Sequence, residues 1–134
     1  MGWVHHIDIT VSDLAVSTAF YEKVLRLMGF RCIREGGAVP LWAGDRTEVG
    51  LQQARPEHNR THDRYSPGLH HIAFGAPDRA AVDRVYATLL KLGVKILDAP
   101  ATYEQYSPGY FAVFFADPDR IKLEYVYTPV WPIG

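Results

Sequence analysis

The sequence predicts an α+β protein: two βαβββ modules that together form a cup-shaped sheet with helices on its convex side. Three observations carry that expectation. Short segments alternate apolar and polar residues with the period of two that a half-buried strand requires. The first of them is followed by an apolar stripe at three- and four-residue steps, the pattern of an amphipathic helix. The whole arrangement then returns 65 residues later, where His5-His6-Ile7 recurs as His70-His71-Ile72.

In chain order, residues 4–11 open as a strand, with Ile7, Ile9 and Val11 on one face and His6, Asp8 and Thr10 on the other. Ser12 and Asp13 are short polar side chains of the kind that accept from the free N–H groups of a first helical turn. From Leu14 the stripe Val16, Ala19, Phe20, Val24 and Leu27 marks the core face of a helix, and Gly29 is placed to end it. Strands follow at 30–34, 39–43 and 47–53, with Gly36-Gly37 and Gly44-Asp45 as turns between them. In the second copy Asp13 falls on Asp78, Tyr21 on Tyr86 and Leu25 on Leu90. That helix has its own stripe (Val82, Val85, Leu89, Leu92), its own stop at Gly93, and strands after it at 94–97, 110–116 and 121–127. Strand, cap, helix and stop agree at every level, which identifies an internal duplication. One domain of 134 residues is expected: module 1 at 4–53, a polar linker at 54–69, module 2 at 70–127 and a tail at 128–134 whose Trp131 needs a surface to cover it.

Composition narrows the class. Apolar residues make up 48% and charged residues 22%, the balance of a globular chain rather than a disordered one. Fourteen basic and 15 acidic side chains leave a formal charge of −1 without a run of one sign, so no nucleic-acid partner is expected. No apolar run approaches the roughly 20 residues that span a bilayer, and His5, His6 and Asp8 interrupt any leader-like stretch. The single Cys32 rules out an internal disulfide and suits a buried, inert thiol in a reducing compartment. A soluble cytoplasmic domain with no membrane association follows as the expectation.

The helix should cover the face of Ile7 and Ile9, leaving His6 and Asp8 for the concave face. His6 and His71 are repeat-equivalent, so a two-fold relation between the copies would aim both imidazoles at the middle. In the last strand of each copy, matching Val49 and Leu51 with Ile121 and Leu123 sets Gln52 opposite Glu124. A slip to Gln53 would turn the apolar set outward. His6, Gln52, His71 and Glu124 then offer two imidazole nitrogens, an amide oxygen and a carboxylate. Zn, Fe(II), Ni, Co or Mn suits that set better than Ca or Mg. Such an ion polarises a carbonyl, stabilises an enediolate or binds O₂ beside a substrate. Asp8 lies about 7 Å from His6 along the strand and would act behind the ligands. Glu48 shares the Gln52 face at about 13 Å, too distant to reach the same substrate. By alternation His5 and His70 point to the helix side and pack there, while His58 and His62 belong to a solvated linker.

His6-Ile7-Asp8-Ile9-Thr10-Val11 with Asp13, Phe20 and Tyr21 resembles the first half of a vicinal-oxygen-chelate module. His71-Ile72-Ala73-Phe74 with Asp78, Asp117-Pro118-Asp119 and Leu123-Glu124 resembles the second. That superfamily includes glyoxalase I, methylmalonyl-CoA epimerase, extradiol dioxygenases, fosfomycin-modifying transferases and bleomycin-binding proteins. The resemblance implies paired modules, a homodimer, and His6, Gln52, His71 and Glu124 on the metal positions. Such a donor set is more similar to the epimerase and some glyoxalases than to dioxygenases. One departure is Arg120, where the family often carries Gly after Asp-Pro-Asp.

The resemblance therefore implies a divalent-metal-dependent enzyme of isomerase, epimerase or lyase type acting on a small oxygen-rich molecule. The alternatives are an Fe(II) dioxygenase using His6, His71 and Glu124, and a non-catalytic module that sequesters a drug or metabolite. The aromatic loop 103–110 is the candidate lid, with Tyr103 or Tyr106 donating to substrate and Glu104 as its candidate base. Glu124 itself is the named proton-transfer group. A thioester substrate would call for a basic entrance, for which Arg31, Arg34 and Arg46 are the candidates.

Overall fold

The computed structural model describes residues 1–34 and 39–133, so the predicted Gly36-Gly37 turn lies outside the described residues. The chain divides into two compact units, Met1–Thr61 and His62–Gly134, with the division falling inside the polar segment 54–69. Among the described residues each unit has the order β-α-β-β-β. The first runs β1 (His6–Val11), α1 (Leu14–Leu27), β2 (Arg31–Arg34), β3 (Leu41–Ala43) and β4 (Glu48–Gln53); a short 3₁₀ turn, Pro56–His58, follows. The second runs β5 (His71–Gly75), α2 (Arg79–Lys91), β6 (Lys95–Thr102), β7 (Phe111–Ala116) and β8 (Lys122–Tyr127). Their sheets have the same topology, β1-β4-β3-β2 and β5-β8-β7-β6, with the first pair of each order parallel at one edge and the other two pairs antiparallel. The predicted α+β class of two βαβββ modules is thus the observed one. No helix among the described residues is long and apolar enough to cross a membrane.

Local chemistry sets the helix boundaries twice in the same way. Asp13 accepts from Val16 N at 3.1 Å and Asp78 from Ala81 N at 2.7 Å, each satisfying a free N–H of the first turn. At the other end Gly29 and Gly93 have φ of +87° and +71°, where a Cβ is penalised. These turns let Phe30 N reach Leu25 O and Val94 N reach Leu89 O, both at 3.0 Å, closing the last carbonyls in a Schellman arrangement.

The buried face of α1 differs from the predicted stripe. Ser17, Tyr21, Val24 and Leu25 are buried, whereas Val16 is half exposed. The helix is rotated by roughly one residue, because Tyr21 and Leu25, both fully covered, fill more of the space against β4 than Val16 and Ala19 would. In α2 the predicted Val82, Val85 and Leu89 are buried together with Ala81, while Leu92 is exposed beyond the helix end. Cys32 is only half-buried and is a free thiol, not the core residue expected. Strand β6 runs eight residues, well past the predicted 94–97, with irregular pairing to β7 on either side of Asp98. Trp131 is 84% exposed among the described residues, so the surface expected to cover it is not in this chain's packing.

One part-buried polar contact ties α1 to its sheet. Trp42 Nε1 donates to Glu22 Oε2 at 2.5 Å, and Arg26 also donates to Glu22. These bonds, the Trp42 bond first, hold the Glu22 carboxyl below its ordinary value of 4.5. A depressed folded-state pKa means the contribution is present above the unfolded value and is lost as pH falls through the folded one. Glu22→Gln is therefore expected to flatten the fall in stability below about pH 4.5. Urea midpoints at pH 6 and pH 3.5, followed by tryptophan fluorescence, measure this; an unchanged acid limb would disprove the coupling.

Candidate active site

The second unit gathers the chemistry on the face of its sheet that α2 does not cover. His71 opens β5, and Glu124 lies on the neighbouring β8 two rungs further on, where it pairs with Ala73. Their side chains converge: His71 Nε2 lies 3.1 Å from Glu124 Oε1. Glu124 is almost fully buried, and its other oxygen, Oε2, accepts from the Tyr110 hydroxyl. Burial first, and the bond to Glu124 second, push the Tyr110 phenol far above its ordinary range, so it stays protonated and serves as a donor. Tyr110 was not among the sequence candidates. The signal was present in its phase with Ala112 and Phe114, because Phe114 is the rung partner of Glu124.

The turn into β8 explains how Glu124 is aimed. Asp117 Oδ1 accepts from the N–H groups of Asp119 and Ile121, both at 2.8 Å. Arg120 has φ 66°, the left-handed conformation that Gly adopts freely and other residues adopt at roughly 1–2 kcal/mol. The departure from the family's Gly is tolerated because these bonds fix the turn.

Next to the ligand candidates, the two copies repeat a second arrangement. His70 Nδ1 lies 2.7 Å from His71 Nδ1, and His5 Nδ1 lies 3.1 Å from His6 Nδ1; both ring pairs meet edge to face. His5 and His70 are exposed and do not pack on the helix side as alternation suggested. The strands begin at His6 and His71, so the residues before them are not bound by the pleat. Burial, then the neighbouring His71 and Lys122, keep the His70 pKa below its usual value, favouring the neutral ring that a Nδ1–H donor from His71 requires.

This geometry fits a divalent ion. With the proton on His71 Nδ1 and donated to His70, Nε2 presents a lone pair 3.1 Å from a carboxylate oxygen. In that tautomer a cation would satisfy both lone pairs; with the proton on Nε2 the same contact is a hydrogen bond to Glu124. Donors about 2.1 Å from a metal at a right angle sit about 3.0 Å apart, close to the observed separation. Within this unit, among the described residues, no third His, Cys, Asp or Glu joins the pair.

A cavity of about 500 Å³ opens over the pair, lined by His70, Tyr106, Tyr110, Phe114 and Lys122 besides His71 and Glu124. Tyr103 stacks on Tyr106 at 5.5 Å and meets Phe114 edge-on, so the 103–110 loop forms one wall. Burial raises the Tyr103 pKa, and Tyr106 lines the cavity while half exposed. Glu104 is engaged elsewhere: both its oxygens lie 3.3 Å from Gly109 N, so it closes its own turn and is not a free base.

The first unit answers with a different arrangement. The ladder pairs His6 with Glu48, Asp8 with Gly50 and Thr10 with Gln52. Since His71 pairs with Lys122 and Ala73 with Glu124, the counterpart of Glu124 is Gly50 and not Gln52. Both registers keep the apolar face inward, which is why alternation alone selected the wrong one. Glu48, expected to be remote, is the rung partner of His6. A Cβ on Gly50 would stand 2.5 Å from Asp8 Oδ1, so the Asp8 carboxylate occupies the space over that glycine. Gln52 Nε2 approaches Asp8 Oδ2 at 3.4 Å. Arg31 and Arg46, with His5 and Glu48, line a separate cavity of about 250 Å³; Arg34 does not.

The family model for the Glyoxalase/Bleomycin resistance protein/Dioxygenase superfamily matches residues 3–125. The chain is 33% identical over 99 residues to the uncharacterized protein YqjT of Bacillus subtilis (strain 168), covering 70% of this chain and 74% of that one. A crystal structure from Bacillus halodurans, provisionally described as a glyoxalase, is 31% identical, with a TM-score of 0.81 and coverage of 95% of this chain and 96% of its own. Lactoylglutathione lyase of Agrobacterium tumefaciens shares the fold at 20% identity, with a TM-score of 0.72 and 98% of each chain covered.

Proposed function

Because the chain belongs to the Glyoxalase/Bleomycin resistance protein/Dioxygenase superfamily, we propose that it is a divalent-metal-dependent enzyme of the glyoxalase type, with isomerase, epimerase or lyase chemistry on a small oxygen-rich substrate. The observation that carries this reading is the convergence of His71 Nε2 and Glu124 Oε1 at the edge of a cavity of substrate size. His71 and Glu124 are proposed as ligands, with His6 as the equivalent imidazole of the first copy. Asp8 is proposed in place of Gln52, because it supplies the first unit's carboxylate on the rung that matches Glu124. Gln52 then holds Asp8 through its amide.

A bound divalent ion supplies Lewis-acid polarisation of the chelated oxygens. The chain's own residues do the rest. His70 accepts from His71 Nδ1–H and so keeps Nε2 as the lone pair facing the cavity. The Tyr110 hydroxyl pins Oε2 of Glu124 and so aims Oε1, the oxygen that would meet the ion, beside His71 Nε2. Tyr106 donates a hydrogen bond from the loop wall, and the Tyr103–Tyr106 stack limits the entry of water.

Elemental analysis of protein purified without a tag tests the reading. One divalent ion per chain is expected, removable by EDTA. Its absence would favour a ligand-sequestering module, and O₂ consumption by the Fe(II)-loaded protein would move the assignment to a dioxygenase.

A further inference from the structure

We propose that the substrate is a small planar oxyanion, whose anionic group pairs with Lys122 and whose flat body lies against Phe114 and Tyr106. The inference deepens the function proposed above and rests on it for the catalytic use of this cavity. Lys122 is the rung partner of His71 and lines the same cavity, with Nζ 4.5 Å from the centre of the Phe114 ring. Among the described residues its side chain takes part in no ion pair or hydrogen bond. The carboxylate two residues along the strand, Glu124, is already engaged by His71 and Tyr110. A half-buried lysine whose Nζ stands over an aromatic ring, with no anion of its own, is placed to pair with an incoming anionic group.

The surrounding surface sets the shape of that group. Tyr110, Ala112 and Phe114 form an apolar cluster with Leu97, Tyr103 and Val126 beside it. Stacked and edge-on rings make flat walls, which favour planar ligands over branched ones. The duplication sharpens the point: on the rung where the second copy carries Lys122, the first carries Glu48. The positive charge is therefore particular to this half of the duplication.

Benzoate and benzamide, equal in shape and different in charge, are the probes. Their binding to EDTA-treated protein is followed by NMR titration of the ¹⁵N-labelled chain. Wild type is expected to bind benzoate about tenfold more tightly, the worth of one charge-assisted contact. The ratio should fall to about one in Lys122→Met and persist in Lys122→Arg, with shifts centred on Lys122, Phe114 and Tyr106. Equal affinities in wild type, no binding of either probe, or an unchanged ratio in Lys122→Met would each overturn the proposal. The titration contains no metal, so its failure is distinct from a failure to find metal in the wild-type protein.

Discussion

Glu124→Ala is expected to abolish stoichiometric metal and to weaken divalent-ion binding by more than about 100-fold, the upper end of what loss of a supporting contact alone costs. The same substitution leaves the buried Tyr110 hydroxyl without its acceptor, a penalty of about 1–3 kcal/mol. Glu124→Gln separates the two effects. Its amide oxygen still accepts from Tyr110, so stability should stay within about 1 kcal/mol of wild type while metal is lost. His70→Ala belongs to the same experiment: it removes no ligand but frees the His71 tautomer, with an expected loss of about 10–100-fold. Calorimetric titration with Zn²⁺ or Ni²⁺ measures all three. Full metal occupancy in Glu124→Gln would exclude Glu124 as a ligand.

The largest effect on stability is expected at Phe115. It is fully buried on β7, between its rung partners Ile96 and Leu123, on the sheet face that α2 covers. Phe115→Ala removes a ring from a close-packed site and should cost about 3–5 kcal/mol in urea unfolding. Trp131→Ala is the contrast, since that side chain is almost wholly exposed; a change within about 0.5 kcal/mol is expected. A large loss at Trp131 would show that a surface outside this chain's own packing covers it.

The parts of the fold legible in the sequence are those that local chemistry decides. Asp13 and Asp78 announce helix starts, and Gly29 and Gly93 announce stops, because a capping carboxylate and a left-handed turn depend on a few neighbouring residues. Repetition of the pair made the duplication visible. What alternation could not resolve was the β1–β4 register, since a shift of two residues leaves every side chain on its original face. For the same reason Gln52 stood in for Gly50, and Glu48, placed relative to Gln52, seemed too distant to reach the substrate. The burial of Ser17 in place of Val16 is a tertiary choice made by the volume of Tyr21 and Leu25. The bond from Tyr110 to Glu124 joins residues on two strands and leaves no local mark beyond phase.

Each copy of the duplication keeps one acidic group on the same rung, carried by the β1 strand in one and by β8 in the other. A side chain added at Gly50 meets Asp8, and removing Asp8 alone deletes the charge. The two positions are therefore coupled: any side chain at position 50 must move the Asp8 carboxylate aside, so Gly50→Ala is expected to displace the first unit's acidic group without removing it.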